Sequence, residues 1–551
     1  MDRRTLLAIA LMLAVAIVPS LLFPPKRPPA RPVAPSSTGA HRGETASPQV
    51  RRAPGAELAP PALRAAGEAA AETAAEERVT VSSALYRYTF STRGARLVGA
   101  DLLQYASFAP GASGPAQLVP PESEFLAYRL VVGADTVSLA DWRFEPAAGE
   151  VRVGRDGAVL DWVGQRGAVV VRLRYTFAAD EYRFDVRGEV EGLGGGGLVL
   201  VGLGPRLNVV DHDSVSDIRS YGVVTKAGAT QNLGFGSLEP GVRRELAGPF
   251  EWVAVKSKYF AVAALTIGEG EPRFGGAVVV GGERQGRYAT RAHVAASLAA
   301  PGGRFGFTVY AGPQEYRRLA KLGHDLEDMN PYGWVFRPVI RPFAILIVRI
   351  LLWMHEALNL GYGWVLILFG LAVRVVLWPL NQKAMRSSVA MQAIQPEIKA
   401  LQERYKNDPQ KMQQELFKLY KEHGVNPLGG CLPMLLPMPV LFALFFVFAN
   451  TIEFRGVPFL WLPDLSRADP LYIIPLIMGI SMYAVSRIGQ IGVPPNPQAK
   501  MMLYVMPVMF TVLFLNFSSG LNLYYAVSNL ASIPQQWLIA RERSRRLGRT
   551  P

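Results

Sequence analysis

Few side chains in this sequence have the type and spacing that bond chemistry needs. Asp211-His212-Asp213 sets an imidazole between two carboxylates, which would suit acid/base work, although a turn that satisfies its own polar groups is the simpler reading. His355-Glu356 opens an H-E-x-x-H zinc motif, but Asn359 stands where the second histidine must be. Cys431 is the single cysteine, has no basic residue beside it to form a thiolate, and excludes an internal disulfide. No Gly-Lys dipeptide occurs, so there is no Walker A loop. The residue that stands out is Arg374, inside the apolar run Val-Leu-Ile-Leu-Phe-Gly-Leu-Ala-Val-Arg-Val-Val-Leu-Trp-Pro. An arginine at mid-bilayer costs about 2.5–3.5 kcal/mol on insertion scales, and less near an edge, where it can snorkel. Arg374 precedes Leu380 by six residues, about 9 Å along a helix. It is either a snorkelling anchor or a cation in a water-filled cavity. No carboxylate in the apolar runs can neutralise it, and an unpaired cation in a cavity attracts an anion or an acidic peptide.

The elements that must hold Arg374 follow from composition. The chain has 551 residues, of which 50% are apolar and 19% charged, with a net charge of +14. That balance excludes a disordered or fibrous protein and disfavours a wholly soluble one. Residues 5–23 carry no charge and reach about 28 Å as a helix, enough for a signal-anchor held N-terminus-inside by Arg3 and Arg4. Residues 24–78 are rich in Pro, Ala and Glu and read as a flexible tether. Over 79–313 the period becomes two: Tyr86, Tyr88 and Phe90, then Leu173, Tyr175 and Phe177, then Tyr182, Phe184 and Val186 alternate with polar residues between Gly-rich turns. This predicts a large antiparallel β-sandwich outside the membrane.

Residues 314–361 connect to the remainder and include 342–356, apolar but interrupted by Arg349. Apolar runs then fall at 361–380, 431–450, 471–486 and 501–540, the last divided into two spans at Ser518-Ser519-Gly520. Five spans within 362–540, added to the first, give six, with both ends cytoplasmic. Lys and Arg cluster in 383–430, at Arg487 and Lys500, and in the 541–551 tail, and the positive-inside rule puts all three inside only if 342–356 lies on the outer membrane surface. The runs 471–486 and 501–516 are short for a usual bilayer and would thin it, unless their ends lie a few residues further out.

Residues 383–426 predict a cytoplasmic helical hairpin. Met391, Ile394, Ile398 and Leu401 form one stripe, Asp408-Pro409 restarts the helix, Met412, Leu416 and Leu419 continue the stripe, and Gly424 ends it. The hairpin is a structural spacer or a basic dock for ribosomal or signal-recognition RNA, with lipid head groups competing. A secondary transporter would need repeats and a membrane acid, and none is evident. A membrane-anchored sugar-processing enzyme would need one span only.

Four stretches carry a family resemblance: Val373-Arg374-Val-Val-Leu-Trp-Pro379-Leu380, Gln395-Pro-Glu-Ile398, Asn426-Pro-Leu-Gly-Gly-Cys431-Leu-Pro433, and Ser519-Gly-Leu-Asn-Leu-Tyr-Tyr525-Ala-Val-Ser-Asn529. Together they resemble the YidC-type membrane protein insertases. The Pro-rich tether, the sandwich, Lys258-Tyr259-Phe260 and Tyr332-Gly-Trp334 resemble the branch with a large periplasmic domain. The resemblance implies an inner-membrane insertase and chaperone that is not an enzyme and uses no cofactor or metal. Its five C-terminal spans would form a hydrophilic groove open to the cytoplasm and the lipid. Arg374 would receive the polar or acidic tail of a client, and Met438 and Tyr525 would face the client's helix. The implied partners are nascent membrane proteins, the Sec translocon, and the ribosome and signal-recognition machinery at the hairpin. The resemblance also implies a sandwich similar to mutarotase-like folds, without their catalysis. Relatives often carry Gln where Pro437 stands and a hydroxyl residue at Gly370, so wetting of the groove here rests more on Arg374, and they often have Phe-Pro-Ser-Gly where this chain has Phe517-Ser-Ser-Gly520.

Overall fold

The computed structural model describes residues 76–546 except 134, 193–196, 269–271, 287, 331, 334–335, 425–437 and 492–499. The expected signal-anchor, nearly all of the tether, the Asn426–Pro433 motif with Cys431, Pro437, and the end of the tail lie outside the described residues.

Strands run from Arg78 to Pro313. Nine of them form the largest sheet, in the order Ala229–Gly234, Gly222–Ala227, Trp252–Lys256, Phe260–Leu265, Arg304–Pro313, Arg183–Glu191, Val169–Phe177, Ala158–Arg166 and Phe144–Pro146. Sheets of six and five strands accompany it. The two-residue period sorts the side chains: Leu173, Tyr175 and Phe177 are buried, while Arg172, Arg174 and Thr176 are exposed. Phe90, Tyr175 and Phe184 meet at ring separations of 5.4–5.8 Å, and the Tyr128 and Tyr175 hydroxyls bond each other at 2.9 Å, which satisfies polar atoms in the core. One strand pairing departs from the antiparallel arrangement expected of the sandwich. Arg78–Ser82 pairs in parallel with Glu150–Arg152, because the chain returns to that edge through the intervening strands and not by a hairpin.

Helix α1 (Ser214–Arg219) lies within the β-domain, and α2 (Tyr316–Leu322) leaves it. Next comes α3 (Arg337–Leu358), about a turn longer at its start than the 342–356 stretch, since Pro338 suits a first helical turn. Its ends are tied to the β-domain side: Arg337 and Arg341 both bond Asp328 (3.1 and 2.7 Å), Arg337 also donates to the Thr230 carbonyl (3.2 Å), and Glu356 pairs with Arg317. Between them Arg349 donates to the Tyr316 hydroxyl at 2.9 Å. Ile340, Ala344, Ile347, Val348 and Leu351 face inward, and Val339, Leu346 and Trp353 form an exposed apolar stripe.

Helix α4 (Tyr362–Val376) breaks at Leu377, because Pro379 has no N–H to offer the turn below. It continues as α5 (Trp378–Ala393), α6 (Gln395–Arg404) and α7 (Pro409–Glu422). The Asp408 carboxylate accepts from the Lys411 N–H at 3.0 Å as the N-cap of α7, and Gly424 takes φ +60° after its end. His423 reaches Glu397 at 3.5 Å, so the end of α7 returns to the start of α6. The bundle is completed by α8 (Met438–Asn450), α9 (Ile473–Gly489), α10 (Met506–Phe514, entered through a π-helical turn, Met501–Val505) and α11 (Ser519–Arg546). Among the described residues α3 alone is long and apolar enough to cross a membrane. Tyr362–Val376, Pro439–Asn450, Ile473–Gly489 and Met501–Phe514 are apolar but shorter.

Candidate functional site

Arg374 occupies the last turn of α4, on the side that packs against α11. The approach is close: a Cβ on Gly370, one turn earlier, would sit 3.3 Å from Val527 and 3.5 Å from the Tyr524 ring. Among the described residues no carboxylate pairs with Arg374, and its Nε is buried without an acceptor. Tyr524, packed on Phe369 at 5.8 Å, is the titratable neighbour near enough to interact with the guanidinium.

Helix α11 supplies a polar seam. Asn522, Tyr525, Asn529 and Ser532 recur at spacings of three and four and so share one face. Asn522 is fully buried and donates to the Phe514 carbonyl at 3.0 Å. Asn529 donates to Ser481 of α9 at 3.3 Å, and Gln535 donates to the Trp378 carbonyl at 3.1 Å, where α5 begins. Tyr525 packs between Phe514 and Tyr524 at 5.5 and 5.4 Å. Its hydroxyl, like the side-chain oxygens of Asn522 and Gln535, is buried with no partner among the described residues. Each such group costs about 1–3 kcal/mol unless water or a polar guest reaches it. The arrangement can therefore offer hydrogen bonds to a polar peptide and attract an anion.

The structure thus brings Arg374 to the Tyr524 side of α11, whereas Tyr525, Asn522 and Asn529 lie on the side of that helix toward α9 and α10. Met438 is the first residue of α8, a helix that packs on α3 and touches α11. The rest of the seam escaped the sequence reading, although the spacing of Asn522, Asn529 and Ser532 from Tyr525 was its signal.

The acid/base candidate resolves into structural parts. Asp213 caps α1 by accepting from Ser216 N–H at 2.9 Å, His212 stacks on Phe108 at 5.3 Å, and Asp211 binds Arg455 at 2.6 Å. Burial, with the Arg467 charge, lowers the His212 imidazole below its usual range. Nearby, burial and then the Asp211 charge push the Asp217 carboxyl up to about 7, and burial lowers the Lys256 ammonium to about 8. Glu453, which follows α8, accepts from the Tyr316 N–H at 3.1 Å and is pushed up to about 7 by burial. His355, the would-be zinc ligand, bonds the Leu360 carbonyl and stacks on Tyr362 at 4.1 Å.

Residues 78–346 match the family described as YidC periplasmic domain, and residues 353–546 match the family described as 60Kd inner membrane protein. A protein of Chlorobaculum tepidum named membrane protein insertase YidC is 30% identical over 97% of this chain and 94% of its own. Its counterpart in Ralstonia nicotianae is 32% identical over 95% and 92%. A solved structure of an active YidC insertase with its first transmembrane domain resolved is 19% identical, covers 84% of this chain and 93% of its own, and superposes with a TM-score of 0.34. The β-rich periplasmic domain, the helical part that follows it and full-length identity at this level make the chain a member of the YidC family of membrane protein insertases.

Proposed function

We propose that this chain inserts nascent transmembrane segments into the inner membrane and aids their folding, by lowering a kinetic barrier and without bond chemistry. The observation that carries the reading is Arg374, a guanidinium on the side of α4 that packs against α11, with no carboxylate among the described residues to neutralise it. Burying a client's apolar helix of about 20 residues is already downhill. The membrane potential contributes about 2.3 kcal/mol per charge per 100 mV and, positive outside, favours export of an acidic tail. The uphill step is moving that polar tail through hydrocarbon, and a cation within the bundle, together with the hydrogen-bonding groups of α11, shortens it. Arg374 takes the tail, while Tyr525 and Met438 touch the client's helix.

Six spans with both ends cytoplasmic accord with the basic loops, and the ion pairs from Arg337, Arg341 and Glu356 to the β-domain side support an α3 that lies on the outer surface. The Sec translocon, and the ribosome and signal-recognition machinery at the α6–α7 hairpin, are the partners the family resemblance brings. The test is photocrosslinking in cells from positions 525 and 438. Both should capture stalled single-span clients, whereas Trp353 on the exposed stripe of α3 should not. Equal capture from all three would overturn the groove.

A further inference from the structure

Arg455, in the loop between α8 and α9, plays no part in the groove, yet it is among the most deeply held cations of the molecule. Its side chain is 2% exposed. Its Nε donates to Asp211 at 2.6 Å and its two Nη groups donate to the Ala106 and Val210 carbonyls, each at 3.0 Å. The guanidinium also lies 4.4 Å from the Phe108 ring centre and 5.1 Å from that of Phe260. Every one of these partners belongs to the β-domain. Gly456 follows with φ +72°, and a Cβ there would fall 2.7 Å from the Phe108 ring, so only glycine permits this seating.

The other side of the same loop holds two helices of the bundle. Asp469 accepts from the N–H groups of Leu471 and Ile474 at 3.0 and 2.8 Å, capping α9. The Ser519 hydroxyl donates to the Asp464 carbonyl at 3.2 Å and the Gly520 N–H to the Leu465 carbonyl at 2.9 Å, fixing the start of α11. A buried ion pair is weak evidence of stability, but with each guanidinium nitrogen bonded to a fixed acceptor it selects one register.

We propose that Arg455 is a positioning residue through which the β-domain holds this loop over the starts of α9 and α11 and keeps the polar seam closed at that end. The role rests on the insertase reading of the seam. It is tested in the full-length chain carrying Cys431→Ser and Ser519→Cys, a buried probe at the start of α11, in spheroplasts treated with a membrane-impermeant maleimide, with insertion of an acidic-tailed client followed in the same cells. Arg455→Ala should raise the labelling rate about tenfold by favouring local opening. Asp211→Asn, which alters only the β-domain side of the contact, should move it the same way, and Arg455→Lys should fall between. If Arg455→Ala does not accumulate, Asp211→Asn decides. Unchanged labelling in Asp211→Asn, and in Arg455→Ala where it accumulates, overturns the positioning role whatever happens to insertion. Failure of the unsubstituted chain to insert the client overturns the insertase reading and leaves the labelling comparison valid.

Discussion

Asp217 and Glu453 are carboxyls that burial pushes up to about 7, far above their ordinary values of 3.8 and 4.5. In the unfolded chain they release their protons near those ordinary values, while the folded chain holds them until about pH 7. Folding therefore loses stability as pH rises through that interval, and the loss is complete above it. Thermal unfolding of the purified full-length protein should show a midpoint that falls between about pH 4 and pH 7, and Asp217→Asn should flatten the slope. Lys256, lowered to about 8, acts with the opposite sign at higher pH: stability should rise again from about 8 toward 10.5. Arg455→Ala strands Asp211 without its partner and should cost about 3–5 kcal/mol in denaturant unfolding, unlike a surface pair. Arg374 was legible in the sequence because a lone charge in an apolar run is conspicuous. Arg455 was not, because its partner Asp211 lies 244 residues away and only the fold brings them together.

Two helices carry the questions at the element scale. On α3 the exposed stripe repeats every seven residues through Val339, Leu346 and Trp353. Spin labels at these positions should report one common depth if the helix lies in the interface. A crossing helix would spread them over about 21 Å. On α9, a Cβ at Gly479 would approach the Thr511 hydroxyl of α10 to 2.0 Å. Gly479→Leu should accordingly force the two helices apart and cost about 1–3 kcal/mol, read as a lower unfolding midpoint in nanodiscs. The strands were legible from their two-residue period, and the start of α7 from Asp408-Pro409. The polar seam of α11 was harder to see, since its spacing is that of any buried helix face and only its residue types set it apart.

At the scale of the whole molecule, a β-rich domain and a bundle of short apolar helices answer the halves that the change of period near residue 313 divides. The parallel strand pairing at Arg78–Ser82 was beyond the sequence, since alternation specifies faces but not neighbours. Helices of 15 residues (Tyr362–Val376) and 17 residues (Ile473–Gly489) span about 22 and 26 Å, less than a usual hydrocarbon core. If they thin the bilayer around the groove, insertion by the reconstituted protein should slow as lipids with longer acyl chains are used. Insertion turns on the charge at Arg374, and the most direct measurement is insertion of a single-span client with an acidic tail in cells depleted of the native insertase and supplied with Arg374→Ala or Arg374→Lys. The alanine form should insert it at least about tenfold more slowly, the lysine form should retain much of the rate, and a neutral-tailed client should be affected less. Undiminished insertion of the acidic-tailed client by Arg374→Ala would contradict the account.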